Sequence, residues 1–414
     1  MGSTGQQKRP GDVFTPRAAT VNESMYVRRP KLEERLTDAI DANKYIVIHG
    51  ESGNGKTWLY KRVFNNAGVH YDTVNLSTVI NAGSLEGAFR QKLGEFGVGD
   101  KVLEETSSSA GAKPFNVGFE HEYRTGSQFY PKSPFVSLLE RIRYRANGKK
   151  AALVLDNFEA IINNQEVLSQ LAAMIISADD DTVAQFDVKV VIVGVPSNLK
   201  ETITRLTDSA PVANRLTELP EVARMSETEA NDLIYRGFVE ELKLAIDDEV
   251  IDKLYANIAW YTDRIAQHIH ELCLIIAQNA VRNHGVIDER ILRKSRNTWI
   301  EDSLSSDMAV IESVMNARET KVGRKNQVLF AMGLCKTEDF KYSDIEALVR
   351  ETFDVANAAT LNVSQILSGF ADASSPLIRR TPKQDAWRFV SPKLKMAIRT
   401  RFKISADGRV DVRP

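Results

Sequence analysis

The feature that most constrains this chain is a glycine-rich stretch that joins an apolar run to a helical pattern. The motif G-x-x-x-x-G-K-[ST] is matched at every position by Gly50, Glu51, Ser52, Gly53, Asn54, Gly55, Lys56 and Thr57. Glycines let backbone N–H groups curl around phosphates, and a helix start adds a partial positive charge. In such a loop the lysine reaches the β- and γ-phosphates and the hydroxyl after it ligates Mg²⁺. The stretch therefore predicts an ATP and magnesium site that extends to Trp58.

Short apolar strands alternate with helical patterns from residue 25 to about residue 220. The predicted strands are Tyr45–His49, Tyr71–Leu76, Ala151–Asp156, Val188–Val195 and Leu216–Val222. Continuous apolar runs separated by helices are typical of a parallel sheet that is covered on both faces. We therefore predict an α/β core over residues 25–225. An insertion at about 98–134, rich in Gly, Ser, Pro and aromatic residues, is either a hairpin or a solvated loop.

A phosphate-binding loop needs an acidic partner for its metal, at the end of an apolar strand further along the chain. The run Ala151–Asp156 has this form, because five aliphatic residues precede its single carboxylate. Asp156 is therefore predicted to hold Mg²⁺, directly or through a water molecule.

Helical patterns dominate the second half of the sequence. Ser226 and Glu229 have the spacing of a capping box, and they open a helical lid that we predict over residues 226–305. A third unit, 320–403, shows three helical stretches, a hairpin and a last helix. That order is typical of a winged-helix domain.

Composition and charge limit the partners and the cellular location that the sequence predicts. The formal net charge is −1, so a nucleic-acid role requires a local basic patch. Two distant cysteines, Cys273 and Cys335, form neither a disulfide framework nor a metal pattern. No apolar run approaches the roughly 18 residues of a membrane span, which predicts a cytoplasmic protein without a membrane partner. Residues 1–24 are polar and predict a flexible arm, and 404–414 predict a tail.

The residues before the glycine-rich loop resemble a box found in STAND and origin-recognition-type AAA+ ATPases. Residues 26–33, Tyr-Val-Arg-Arg-Pro-Lys-Leu-Glu, are similar to the pattern f-v-G-R-e-x-e-L, with Arg28 where a glycine is usual. The resemblance implies an AAA+ core, a helical lid and a winged helix. It also implies that Tyr26 and Val27 lie near the adenine.

Two further stretches resemble parts of the same ATPases. Residues 191–198 are similar to the fourth core strand and its sensor 1 turn, which implies that Ser197 or Asn198 contacts the γ-phosphate or the attacking water. Many AAA+ proteins place a glutamate directly after the metal-binding aspartate, but Asn157 occupies that position here. Glu159, two residues on, is either the base that activates water or an acid that stabilises the first turn of a helix.

Two arginines occupy places where the resemblance implies a catalytic or sensing role. Arg215, just before the last core strand, corresponds to an arginine finger that acts on the nucleotide of a neighbouring subunit. Arg264, at the start of a lid helix, corresponds to sensor 2, which closes the lid on ATP. The alternatives are a surface arginine at a helix end and a salt bridge within the lid.

The C-terminal segment is strongly basic. Residues 376–403 contain nine basic residues and one acidic residue. We predict that these cations form one basic face, which suits a phosphate backbone partner, with DNA contacts from Arg379, Arg380 and Lys383. The alternative is a winged helix that packs on its own ATPase domain.

These patterns favour an ATP-controlled switch that self-associates through its nucleotide site. In the first hypothesis the oligomer engages duplex DNA. In the second, it is a signalling ATPase of the STAND type, for instance in antiviral defence, that regulates a partner effector protein while its winged helix holds an off state.

Overall fold

The computed structural model describes most of the chain. The residues outside the description are 1–7, 43–44, 98–131, 195–200, 202–203, 205–209, 317–323, 356–359, 382–384, 406–407 and 413–414. The chain forms two compact units. We call residues Arg28–Ala223 the core unit, and residues up to Val27 together with those from Arg224 onward the helical unit.

The elements are numbered in chain order. The α-helices are α1 (Pro10–Val13), α2 (Pro30–Ala42), α3 (Lys56–Asn66), α4 (Val79–Ala82), α5 (Leu85–Glu95), α6 (Pro134–Ala146), α7 (Gln165–Ile176), α8 (Asp181–Ala184), α9 (Ala210–Arg215), α10 (Glu227–Tyr235), α11 (Ile251–Tyr261), α12 (Ala266–Arg282), α13 (Glu289–Val314), α14 (Lys325–Leu334), α15 (Tyr342–Phe353), α16 (Val363–Ala371) and α17 (Pro392–Arg401). The strands are β1 (Tyr45–His49), β2 (His70–Asn75), β3 (Ala151–Asp156), β4 (Val188–Gly194), β5 (Leu216–Glu218), β6 (Ala245–Ile246), β7 (Val286–Ile287), β8 (Ile378–Arg380), β9 (Trp387–Phe389), β10 (Phe402–Ile404) and β11 (Val410–Val412).

The core unit contains a parallel sheet with the strand order β2-β3-β4-β1-β5. Alternate strand residues face two separate cores. Tyr45 and Val47 of β1 pack with α5, α6 and α7, whereas Ile46 and Ile48 pack with α2 and α3. Burial on both faces explains why the strands are continuous apolar runs. The predicted α/β class is confirmed, and β5 is shorter than the predicted Leu216–Val222.

The helical unit contains the helices from α10 onward and three small two-stranded sheets. Ser226 caps α10 with the predicted capping box, since its hydroxyl accepts from Glu229 N and the Glu229 carboxylate accepts from Ser226 N. A π-helical turn, Arg236–Glu241, follows. The described part of this unit includes no helix with the length and apolar character needed to cross a bilayer, and the same holds for the described core unit.

The C-terminal residues follow the predicted order of three helices, a hairpin and a helix. Helices α14, α15 and α16 precede the antiparallel pair β8–β9, and α17 follows it. The winged-helix assignment itself remains a prediction. The predicted hairpin turn, Pro382–Asp385, and the predicted insertion at 98–134 lie largely outside the described residues.

The prediction of a flexible N-terminal arm over residues 1–24 is wrong from residue 8 onward. Val13 and Phe14 are fully buried in the core of the helical unit. The Phe14 ring lies 5.0 Å from that of Phe238, and Thr15 N donates to Nδ1 of His270 at 3.2 Å. Two apolar side chains thus anchor a segment whose composition is otherwise polar.

Two predicted boundaries also differ from the structure. The helix predicted to end the lid near residue 305 continues to Val314, because Met308 and Ile311 extend its buried face. The predicted tail, 404–414, contains most of a second hairpin, in which Ile404 pairs with Val410.

Candidate nucleotide site

The glycine-rich loop follows β1 directly and depends on its glycines. Gly50 has a φ of 148°, and a Cβ atom there would lie 2.4 Å from the carbonyl oxygen of Val222. Val222 itself donates its N–H to His49 O at 2.8 Å, so this backbone cannot move aside without losing a sheet contact. Gly55, with a φ of 93°, forms the N-cap of α3. A side chain at either position would distort the loop.

Helix α3 presents an N-terminus that suits an anion. Its first turn contains no acidic residue, and Gly55 provides no side chain that caps the first N–H groups. The partial positive charge of this helix start therefore favours a phosphate.

Lys56 lies at the start of this helix among several carboxylates. Its Nζ donates to the carbonyl oxygens of Gly50 at 2.8 Å and Glu51 at 3.1 Å. Burial lowers the pKa of Lys56, and the negative charges of Glu159 and Asp156 oppose that shift. The lysine is thus held in the loop as the counter-charge of an acidic site.

Asp156 and Thr57 offer the oxygen ligands that Mg²⁺ prefers. Asp156 ends β3, and its Oδ1 accepts from Asn157 N at 2.9 Å. Burial raises the pKa of Asp156, while the charge of Lys56 lowers it. A magnesium ion would hold the carboxylate in its ionised form, so this donor set fits the metal.

Asn54 gives a second indication that the loop accommodates a ligand. Its side chain is 1% exposed, and neither atom of its amide group has a hydrogen-bond partner within the described ranges. A buried polar group without a partner costs about 1–3 kcal/mol. The phosphates or ordered water of a bound nucleotide would satisfy it.

Asn157 is bound to the neighbouring strand at the edge of the sheet. It adopts a left-handed conformation with a φ of 63°, and its Nδ2 donates to Asn75 Oδ1 at 2.9 Å. Asn75 ends β2 and is in register with Asp156. Sequence reasoning missed Asn75, although its place at the end of the neighbouring parallel strand is a usable signal.

Glu159 lies in a short 3-10 turn, Phe158–Ala160. Its negative charge acts on Lys56 of the glycine-rich loop. Its charge raises the pKa of both Lys56 and Asp156, although burial is the larger influence on each group. A Cβ atom at Gly194, the last residue of β4, would lie 3.5 Å from Glu159 Oε2. The roles of Glu159 and Asn157 in hydrolysis remain predictions.

We predict slow hydrolysis that depends on Glu159. Glu159→Gln should lower ATP turnover roughly 100-fold, the lower range of general-base catalysis, because the amide cannot accept a proton from water. ATP binding should persist, since the substitution keeps the shape and removes one negative charge. Single-turnover hydrolysis and nucleotide binding would measure the two effects. Glu166→Gln, in the first turn of α7, is the matched control, and normal turnover in Glu159→Gln would place the base elsewhere.

The other residues predicted around the phosphates are only partly accounted for. Ser197 and Asn198 lie outside the described residues. Trp58 is half-buried in the first turn of α3. Arg215 ends α9, and both its Nε and its Nη2 lie 2.9 Å from Asp179 Oδ2 within the same chain.

The remaining predicted nucleotide contacts belong to the helical unit. Tyr26 and Val27 are buried there. Arg264 lies between α11 and α12 rather than within a helix, and its Nη1 lies 3.4 Å from Glu227 Oε1. Their roles toward a nucleotide remain predictions.

The prediction that the C-terminal cations form one basic face is wrong. Lys395 and Arg399 are buried against Asp263, and Arg388 pairs with Asp339. Lys393 Nζ donates to the carbonyl oxygen of Ser303 at 3.1 Å. Much of the positive charge of helix α17 therefore binds groups within the protein.

The hairpin β8–β9 retains exposed cations. Arg379 and Arg380 are exposed on β8, and the Arg380 guanidinium lies 4.1 Å from the centre of the Trp387 ring. Lys383 lies outside the described residues. On α16, Ser364 and Gln365 are exposed.

Comparison with known proteins identifies the type of fold. Residues 40–203 match the family model described as AAA domain. No curated protein matches the sequence. The chain is similar to the Walker-type ATPase PABY2304 of Pyrococcus abyssi, with 13% identity and a TM-score of 0.52, over 94% of this chain and 99% of that one.

Weaker similarities accompany this one. The ORC1 protein of Aeropyrum pernix, in complex with DNA, matches with 13% identity and a TM-score of 0.47, over 95% of this chain and 96% of that chain. Cdc6p of Pyrobaculum aerophilum matches with 15% identity and a TM-score of 0.41, over 92% and 98%.

Proposed function

We propose that this chain, an AAA+ P-loop ATPase, is a nucleotide-controlled switch that assembles into an oligomer and engages duplex DNA. The observation that carries the proposal is the glycine-rich loop, where Lys56 and the start of α3 suit the binding of phosphates. Close to this loop, Asn157 donates a hydrogen bond to Asn75. A site that binds ATP well and hydrolyses it slowly suits a switch, because the ATP-bound state persists.

Different residues at the site bind the phosphates, bind the metal and accept a proton. The backbone from Gly50 to Gly55 and the N-terminus of α3 bind the phosphates, and Lys56 supplies a positive charge near the β- and γ-phosphates. Thr57 and Asp156 would hold Mg²⁺, which would neutralise phosphate charge. Glu159 accepts the proton of the attacking water.

Self-association follows from the proposed role of Arg215. An arginine that acts on a neighbour's γ-phosphate makes the complete site a property of two subunits. The ion pair with Asp179 does not oppose this role strongly, because the Asp179 side chain is 57% exposed and exposed pairs contribute about 0–1 kcal/mol.

The proposed DNA surface consists of the hairpin β8–β9 and helix α16. Arg379 and Arg380 would contact phosphates, and Ser364 and Gln365 offer short polar groups toward base edges. Two arginines supply few phosphate contacts, so one subunit should bind weakly and without strong sequence preference. Assembly places several such surfaces on one duplex and raises their effective concentration.

A salt titration of duplex binding with ATP present tests the proposal. Each arginine that neutralises a phosphate contributes about 0.9 to the slope of log affinity against log salt concentration. Arg379→Glu/Arg380→Glu should therefore weaken binding and reduce the slope by about 1.8 per bound subunit. Binding should also be tighter with ATP than with ADP.

The matched control reverses two exposed cations on α13. Arg293→Glu/Lys294→Glu changes the net charge by the same amount but lies outside the proposed surface, so the slope should stay close to that of the unaltered protein. If the unaltered protein does not bind DNA at low salt, or if both double variants behave alike, the DNA surface is refuted.

The alternative is a signalling switch that regulates a partner effector protein. The observation that favours it is the burial of Lys395 and Arg399 of α17 against Asp263, because these contacts hold the C-terminal residues within the helical unit. ATP-dependent assembly without DNA binding would support this alternative.

A further inference from the structure

A groove of about 900 Å³ in the helical unit is lined mainly by helices α10 and α11. On each helix the lining residues recur every three or four positions, so they lie on one face of that helix. They include Thr228, Asn231 and Tyr235 on α10, and Asp252, Ala256 and Trp260 on α11. The groove therefore follows two helix faces over about two turns.

The two helices run antiparallel. At one end, Nη1 of Arg264, which follows α11, lies 3.4 Å from Oε1 of Glu227, the first residue of α10. At the other end, burial raises the pKa of Tyr255 and the neighbouring Tyr235 raises it further, so the last residue of α10 lies beside the first half of α11. The helix dipoles therefore oppose each other, and side-chain charges decide the polarity of the groove.

The walls of the groove are largely apolar and open to solvent. Tyr235 is 46% exposed although it is aromatic, and Ala256 is also exposed. Tyr255 and Trp260 are half-buried. Ala256 and Ala259 lie between these two aromatic residues along α11, so another backbone can come close there. Aromatic residues around small ones suit the apolar side chains of a partner.

Opposite charges mark the two ends of the groove. Asp252 is exposed in the first turn of α11. Lys336 is exposed at the other end, because Arg399 donates to the carbonyl oxygens of both Trp260 and Cys335 and so joins these two segments. Neither Asp252 nor Lys336 forms an ion pair with another residue that the structure describes. The groove therefore has a negative end and a positive end.

We propose that this groove binds an amphipathic helix of a partner protein, with the N-terminus of that helix toward Asp252 and its C-terminus toward Lys336. The partial positive charge of a helix N-terminus favours a nearby carboxylate, and the C-terminus favours a cation. The partner helix should therefore carry a cation in its first turn, a carboxylate about two turns later and apolar residues on the face between them. The groove shares no residue with the glycine-rich loop or the hairpin β8–β9, so the inference does not rest on their proposed roles.

The charges of the groove favour a helix over a nucleic acid. Glu227 and Asp232 also line it, and each is paired with one arginine, Arg264 and Arg236. These exposed carboxylates, together with Asp252, would repel a phosphate backbone. An amphipathic helix needs an apolar surface and one opposite charge at each end, and the groove supplies both.

Selection of helical peptides against the full chain tests the inference. The probe is a displayed library of amphipathic helices of about 14 residues, or about 21 Å, and the affinity of selected peptides is measured by fluorescence anisotropy. Ala256→Arg should weaken their binding roughly tenfold or more, because a long charged side chain would fill the middle of the groove. Ala309→Arg, at an exposed position of α13, is the matched control and should bind them normally. If no peptide is selected, or if the selected peptides bind Ala256→Arg as tightly as the unaltered protein, the inference is overturned.

Exchange of the two end charges tests the orientation of the bound helix. Asp252→Lys/Lys336→Glu should weaken a selected peptide roughly tenfold, and it should prefer a version of that peptide whose terminal charges are exchanged. Asp302→Lys/Lys294→Glu makes the same exchange at exposed positions of α13 and should keep the original preference. All of the substituted side chains are exposed, so thermal unfolding should change little. If the charge-exchanged variant keeps the preference of the unaltered protein, the inference is overturned.

Discussion

Replacing Lys56 by alanine is expected to abolish measurable ATP turnover. Lys56 is the cation that burial and hydrogen bonds to Gly50 and Glu51 hold among the carboxylates of Glu159 and Asp156. Without it, the triphosphate would enter a site of net negative charge and would lose its strongest charge-assisted contact. A loss of at least roughly 100-fold in kcat is expected from removal of one such group.

Steady-state ATPase assays and binding of a fluorescent nucleotide would measure the effect of Lys56→Ala, and thermal unfolding would check the fold. Lys150→Ala is the matched control, because this exposed lysine precedes the opposite end of β3 and pairs with Asp41. It should keep normal turnover. A folded Lys56→Ala protein with unchanged turnover would refute the nucleotide site.

Arg215→Ala is expected to lose hydrolysis and ATP-dependent assembly while the single subunit still binds ATP. An arginine finger acting on a neighbouring subunit contributes on the order of 10³–10⁵ in rate in well-studied P-loop enzymes. Mixing Arg215→Ala with Lys56→Ala subunits should restore part of the turnover, because each variant supplies the group that the other lacks.

The contact between Arg215 and Asp179 offers a control that sequence reasoning did not suggest. If Arg215 only stabilises its own subunit through this pair, then Asp179→Asn should reproduce the defect of Arg215→Ala. If Arg215 acts as a finger, Asp179→Asn should keep turnover or raise it, because the guanidinium is released. A mixture as inactive as either parent variant would contradict the shared site.

Much of the core unit could be predicted because its signals are local. The strand Tyr45–His49 and the strand Ala151–Asp156 have the predicted bounds, since buried parallel strands are short, continuous apolar runs. The loop from Gly50 to Thr57 is likewise a contiguous motif. The role of Asn75 was not predicted, because only the register of β2 with β3 brings it to Asn157.

Charge and composition predicted burial less well where contacts between residues distant in the sequence determine it. The segment before residue 24 is polar overall, yet Phe14 finds a buried partner in Phe238, more than 200 residues away. The basic segment 376–403 suggested one exposed face. The type of a residue sets its charge. Whether a cationic side chain is exposed depends on which carboxylates the fold brings near it.

The sequence alone therefore determined the glycine-rich loop, the strand that ends at Asp156 and the α/β class, because each depends on residues close together in the chain. Only the tertiary structure decided how Asp263 and Lys395, 132 residues apart, form a buried ion pair. Local periodicity sets secondary structure, since it acts through neighbours along the backbone. Pairing of distant charges depends on packing, because a buried charge is stable only where the fold supplies its counter-charge.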